Sequence, residues 1–240
     1  MLETVSIILI VLAAAFLQGL TGFGFGLIAL PLLGFFLSIK TSVPLMVLLA
    51  LVISLYLTVR LRKCINLKCT FTLLAASVVG VPFGVYALKQ IPSDGLSILV
   101  GIIMTVFTSH QLLTRPEPRQ LGRSTAVFAG FFSGLLGGSL GVGGPPVIIY
   151  AALQPWTKDE AKATLACFFA LSGLVIIVSQ ALSGMITDEV LHLYALSLPA
   201  LLTGIFLGTK AYKHLSDKGY RTLALAVVFL LGCMMIYRNI

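Results

Sequence analysis

Residues 133–146 read SGLLGGSLGVGGPP, from Ser133 to Pro146, in the middle of the apolar stretch 124–154. A second run of the same kind, QGLTGFGFG over Gln18–Gly26, interrupts the apolar stretch 3–38. Glycine is costly inside a helix and useful where a chain turns or two backbones approach closely. Each run therefore predicts a helix broken in its middle. The pieces beyond the glycines, 27–38 and 145–154, would be only about 15–18 Å long as helices. A hydrocarbon core about 30 Å thick needs roughly 20 residues. Each stretch is expected to be a hairpin of shortened helices, re-entrant or doubly crossing, that enters and leaves on one side.

The setting of these runs is a membrane. Of 240 residues, 58% are hydrophobic and 10% charged, with a mean hydropathy of +1.07. A soluble domain carries about 25% charged residues, so lipid is the solvent for most of this surface. Six further segments have the length and polarity of full spans: 43–60, 69–88, 95–113, 163–182, 190–209 and 219–237. The fold class is all-α and integral to the membrane. The N-terminal MLETVSIILIVLAAAF lacks the basic n-region of a signal peptide, carrying Glu3 instead, and is read as retained.

The net charge of +8 suits the basic loops of a multi-pass protein better than a nucleic-acid surface, since Lys and Arg gather in cytoplasmic loops. Arg60, Arg62, Lys63 and Lys68 form one loop; Arg115, Arg119 and Arg123 a second; Lys210, Lys213, Lys218 and Arg221 a third. With these loops inside and six alternating spans, Lys158 and Lys162 also fall inside, while Lys40, Lys89 and Arg238 fall outside. That division puts thirteen basic residues inside and three outside. It holds only if each broken stretch returns to the side it left, and it sets both termini outside.

The chain also repeats itself. A shift of 115 lays Phe16, Gly19, Leu20, Gly22, Gly26 and Pro31 on Phe131, Gly134, Leu135, Gly137, Gly141 and Pro146. A shift of 124 lays Gly80, Gly84, Ala87, Lys89 and Gly95 on Gly204, Gly208, Ala211, Lys213 and Gly219. Ordered glycines and prolines at fixed offsets are a repeat signal. The expected organisation is a first repeat over 1–114, a cytoplasmic linker over 115–123 and a second repeat over 124–240. Each repeat is a hairpin followed by three full spans, an odd number of crossings, so the second is inverted relative to the first. Inverted repeats with broken helices near the midplane are a common architecture of secondary transporters.

The hairpin tips are the candidate substrate site. Irregular backbone is tolerated at membrane depth only where it is buried in protein or lines a polar cavity, and N–H groups at a helix start attract anions. The candidate residues are Gln18, Thr21, Gly22, Phe23 and Gly24 in the first run, and Ser133, Gly137, Gly138, Ser139, Gly143 and Gly144 in the second. Pro145 and Pro146 suit a helix start, where a missing N–H costs nothing. The competing reading is that the glycines only allow helices to pack closely. That reading is preferred for the GxxxG pairs Gly80/Gly84 and Gly204/Gly208 on ordinary spans.

Other chemistries find little support. Gly137–Gly141 spells G-x-S-x-G, but a nucleophile elbow needs a preceding strand and partner acid and histidine. Here an apolar helix precedes it, and His192 and His214 lie at span ends or in loops. His110 reads as an interfacial histidine and Lys162 as a snorkelling lysine. The four cysteines, Cys64, Cys69, Cys167 and Cys233, form no CxxC pair. No Walker A sequence occurs. No cofactor, metal or nucleic-acid partner is expected; the expected partners are a small anion and the bilayer.

The runs GFFSGLLGGSLGVGGPPVIIY (Gly130–Tyr150) and FLQGLTGFGFGLIALPLL (Phe16–Leu33) resemble the signatures of the TauE/SafE sulfite-exporter family of bacterial anion permeases. The resemblance extends over the whole chain. Where many members have a glycine triplet before a spaced proline, this chain has Gly143-Gly144-Pro145-Pro146. The resemblance implies transport of sulfur-containing anions such as sulfite, thiosulfate or organosulfonates, in a prokaryotic inner membrane. The expected function is a permease that binds its anion between the two hairpin tips near the bilayer midplane, and not an enzyme. The alternatives are an intramembrane enzyme and a non-transporting or channel-like subunit.

Overall fold

A computed structural model describes residues 2–21, 24–113, 120–211 and 217–238. Gly22, Phe23, Arg115, Arg119, Lys213 and His214 lie outside the described residues, as do residues 1, 239 and 240. Every regular element described is helical: α1 (Leu2–Thr21), α2 (Phe25–Leu33), α3 (Ile39–Arg60), α4 (Leu67–Gln90), α5 (Ser93–Leu113), α6 (Arg123–Leu140), α7 (Gly144–Leu153), α8 (Lys158–Leu182), α9 (Asp188–Ala211) and α10 (Asp217–Arg238), with a single 3-10 turn at Arg62–Cys64. Six described helices are long and apolar enough to cross a membrane, namely α1, α3, α4, α5, α8 and α9. Large side chains such as Phe83, Phe128 and Phe206 stand exposed on the helices, as lipid-facing residues do.

Both glycine runs break their helices, but later than their first glycine. The 20-residue α1 and the 18-residue α6 would be about 30 and 27 Å long, so each hairpin has one long arm. Only the second arms are short, nine residues in α2 and ten in α7. Gly19, Gly134, Gly137 and Gly138 stay helical. Gly19, Gly134 and Gly138 stay so because a neighbouring helix packs on them, which offsets the entropic cost of helical glycine.

The chain divides into two compact units, and neither is one half of the sequence. One comprises Met1–Met46, Ile91–Arg115 and Thr187–Ile240; the other comprises Val47–Gln90 and Pro116–Ile186. The first hairpin thus packs with helices from late in the chain, and the second hairpin with a helix from early in it.

In the second unit α4 lies along α6, joined through glycine. A Cβ on Gly80 would strike the Phe131 carbonyl, one on Gly84 the Leu135 carbonyl, one on Gly130 the Leu73 carbonyl and one on Gly134 the Ser77 carbonyl. Each contact advances four residues on both helices, so the pair is parallel. Small residues let backbones meet where lipid gives no hydrophobic drive for helix association. In the first unit α1 and α9 pair likewise: Gly204 lies on the Leu12 carbonyl and Gly208 on the Phe16 carbonyl. This pair is parallel too.

Caps fix the helix starts in the second unit. Thr157 accepts the Glu160 N–H at 3.2 Å to begin α8, the first half of a capping box written as Thr-x-x-Glu. Asn66 accepts the Cys69 N–H at 3.2 Å to begin α4. Its own N–H donates to the Thr164 hydroxyl at 3.0 Å. The starts of α4 and α8 are therefore tied together, and α8 shares the direction of α4 and α6.

Candidate functional site

The first break turns on a side-chain cap. Gly24 adopts a left-handed conformation, φ +103°, which disfavours any residue with a Cβ. A Cβ there would meet nothing within 4 Å, so backbone conformation, not crowding, demands this glycine. Across the break the Phe25 N–H donates to Oε1 of Gln18 at 2.9 Å. A helix start leaves four N–H groups without intrahelical partners, and Gln18 answers one of them while itself only 6% exposed. Thr21 closes α1.

The second break is held from inside the hairpin. Gly141 ends α6 at φ +65°, its N–H donating to the Gly137 carbonyl at 3.0 Å, a left-handed cap that satisfies a terminal carbonyl. The Ser133 hydroxyl donates to the Gly143 carbonyl at 2.5 Å. A Cβ on Gly143 would lie 2.6 Å from the Ser133 carbonyl and 3.2 Å from the Gly137 Cα. Gly143 and Gly137 therefore form the seam along which α7 returns beside α6. Gly144 is freer, its nearest neighbour being Ile148 Cδ1 at 3.1 Å.

The geometry sorts the candidate residues into different roles. Gly138 faces α4, where a Cβ would lie 2.7 Å from the Val81 carbonyl; on that side it is a helix-packing glycine. Ser139 is buried and donates to the Leu135 carbonyl one turn back at 2.7 Å. The Ser133 and Ser139 hydroxyls thus both donate to backbone carbonyls. Pro145 and Pro146 occupy the first turn of α7 and bring no N–H. Gly144 and Val147 are the N–H-bearing residues left there.

Among the buried polar residues that the sequence does not flag, such as Ser42, Ser77 and Ser197, Gln180 has the largest side chain without a partner among the described residues. Gln180 of α8 is 0% exposed, and neither its Nε2 nor its Oε1 has a hydrogen-bond partner among the described residues. A lone glutamine inside an apolar span carries no motif by which to find it.

A cavity of about 180 Å³ lies at the other end of α2, lined by residues including Gly34, Ser38, Asp94 and Arg238. Arg238 donates to the Gly34 carbonyl at 3.1 Å and stacks on Phe35, 4.7 Å from the ring centroid. This arrangement ties α10 to the carboxyl end of α2, where a cation is favoured. An anion entering that cavity would also face the Asp94 carboxylate, so the breaks are the better candidate.

The profile described as "Sulfite exporter TauE/SafE" matches residues 7–235. The chain belongs to this family. A protein of Cupriavidus necator described as "Probable sulfite/organosulfonate exporter TauE" is 26% identical over 237 residues, covering 92% of this chain and 88% of that one. A Bacillus subtilis protein, "Probable membrane transporter protein YunE", is 24% identical over 202 residues, covering 74% of this chain and 73% of the relative. No solved structure matches the chain. The family match spans both broken hairpins and agrees with the resemblance carried by Phe16–Leu33 and Gly130–Tyr150.

Proposed function

We propose that this protein is a secondary transporter that moves a small sulfur-containing anion, such as sulfite, thiosulfate or an organosulfonate, across a bacterial inner membrane. The observation that carries this reading is the family match over residues 7–235. The substrate class follows the description of the Cupriavidus relative. The ends of α1 and α2 at Thr21 and Phe25, and those of α6 and α7 at Leu140 and Gly144, are the places where the anion meets the chain, because helices stop and start there inside apolar stretches. Gln18 and Ser133 act there by fixing the geometry of the two turns. Gly24, Gly143 and Gly144 hold the backbone that faces the anion. That one anion uses both tips rests on the sequence repeat alone.

Two inverted repeats, 1–114 and 124–240, are part of the same proposal. Its support is that the GxxxG pairs related by the shift of 124 each pack in parallel on the long arm of a hairpin. The register differs by one turn, since the Phe131 carbonyl meets Gly80 while the Phe16 carbonyl meets Gly208, the counterpart of Gly84. Both termini outside and the 115–123 linker inside complete the reading.

Binding tests the substrate class. Purified protein, screened by thermal shift against sulfite, thiosulfate, sulfate and methanesulfonate, should be stabilised by the sulfur anions it carries. Ligand at a hundred times its Kd contributes about 2.7 kcal/mol. Stabilisation by none of them would remove the substrate class.

A further inference from the structure

We propose that Gln180 is an anion-binding residue of the second hairpin break, its amide Nε2 supplying donors that the proline pair of α7 cannot. The inference rests on the transport reading above and adds a residue to its site. The first observation is an unmet polar group. A buried amide normally finds partners for most of its four hydrogen-bonding positions. The Gln180 side chain is fully buried, and both its polar atoms lack one among the described residues.

The second observation is position. Ile176 places its Cδ1 3.0 Å from where a Cβ on Gly137 would stand, and that same point is 3.6 Å from the Cα of Gly143. Ile176 thus touches the seam of the second hairpin. Gln180 is four residues on, on the same face of α8, and about 6 Å further along the axis. Because α8 runs in the direction of α6, that step leads toward the level of Gly141–Gly143. A helical side chain leans back over the preceding turn, and for Gln180 the preceding turn is the one that carries Ile176.

The third observation is a shortage of donors. Two of the first three residues of α7 are prolines, and the Ser133 and Ser139 protons are committed to carbonyls. The hairpin's own donors to an oxyanion at this break are then chiefly the Gly144 and Val147 N–H groups, and a side-chain donor from outside the hairpin adds to them. The neutral amide is suited to a cargo that must leave again, because it adds hydrogen bonds without a fixed charge.

The test compares Kd for sulfite, by thermal shift and calorimetry on purified full-length protein, between the wild type, Gln180→Met and Gln180→Glu. Methionine keeps the volume and removes both unpartnered polar atoms, so the variant should melt at or above the wild-type temperature. It should also bind sulfite about 10- to 100-fold more weakly, the value of a hydrogen bond to a charged group. Glutamate keeps the shape, sets a carboxylate against the anion, and should bind at least as poorly. A folded Gln180→Met protein with unchanged Kd overturns the proposal. Should Gln180→Met fail to fold, Gln180→Glu decides: retained affinity overturns it, lost affinity supports it. A wild-type protein that binds neither sulfite, thiosulfate nor methanesulfonate marks failure of the substrate reading itself, and this inference falls with it. Wild-type binding with unaffected variants marks failure of this inference alone.

Discussion

The Oε1 of Gln18 accepts the N–H of Phe25 at 2.9 Å, seven residues on and across the break between α1 and α2. The polar side chain of one arm is thus the cap of the other. Gln18→Ala should remove a cap worth roughly 1 kcal/mol and leave a buried N–H unsatisfied, lowering the melting temperature modestly. Sulfite affinity should fall about tenfold, because the α2 start is no longer held in place. Melting curves with and without sulfite check both effects.

Ser133 and Ser139 offer a contrast within one helix. Ser133 pins the Gly143 carbonyl, whereas Ser139 donates only to its own helix at Leu135. Ser133→Ala should weaken sulfite binding several-fold and loosen the second hairpin. Ser139→Ala should change Kd by less than about twofold, since its proton is unavailable to a ligand. Equal losses from the two substitutions would show that the hydroxyls act directly on the anion.

The packing glycines make a separate prediction about stability. A Cβ at Gly80 or Gly208 would collide with backbone carbonyl groups of α6 or α1, and backbone cannot step aside as a flexible side chain can. Gly80→Val and Gly208→Val should cost roughly 1–3 kcal/mol or more as overpacking, seen as a reduced yield of folded protein. The surviving folded fraction should bind sulfite with near wild-type Kd. A normal yield accompanied by lost affinity would contradict this division of roles.

Much of this was legible in the chain itself. Glycine and proline punctuation located both breaks, because helix-breaking residues act locally. Which glycine does what was not legible. Gly24 and Gly138 look alike in sequence, yet one is set by a positive φ in open space and the other by the Val81 carbonyl of a distant helix. The pairing of α1 with α9 and of α4 with α6 depends on contacts between segments far apart in the chain, which local periodicity does not encode. Gln180 stayed hidden for the same reason, since its interest lies in having no side-chain hydrogen-bond partner among the described residues, a property of the packed state.

Orientation is open to direct labelling. In a background lacking Cys64, Cys69, Cys167 and Cys233, single cysteines at positions 2, 120 and 240 should divide cleanly. Impermeant maleimide applied from outside should label positions 2 and 240, and position 120 only after permeabilisation, as the thirteen-to-three basic asymmetry requires. Arg62→Gln with Lys63→Gln should disturb insertion or yield more than affinity. A cytoplasmic Leu2 would overturn the hairpin assignment.

A carrier moves its anion through a site that fills, whereas a channel conducts it and a binding protein merely holds it. Initial rates of sulfite entry into proteoliposomes, measured across a range of sulfite concentrations, test carrier function most directly. The rate should saturate with concentration and be competitively inhibited by thiosulfate or an organosulfonate. Flux no greater than in empty liposomes, or flux rising linearly without saturation, would contradict carrier function.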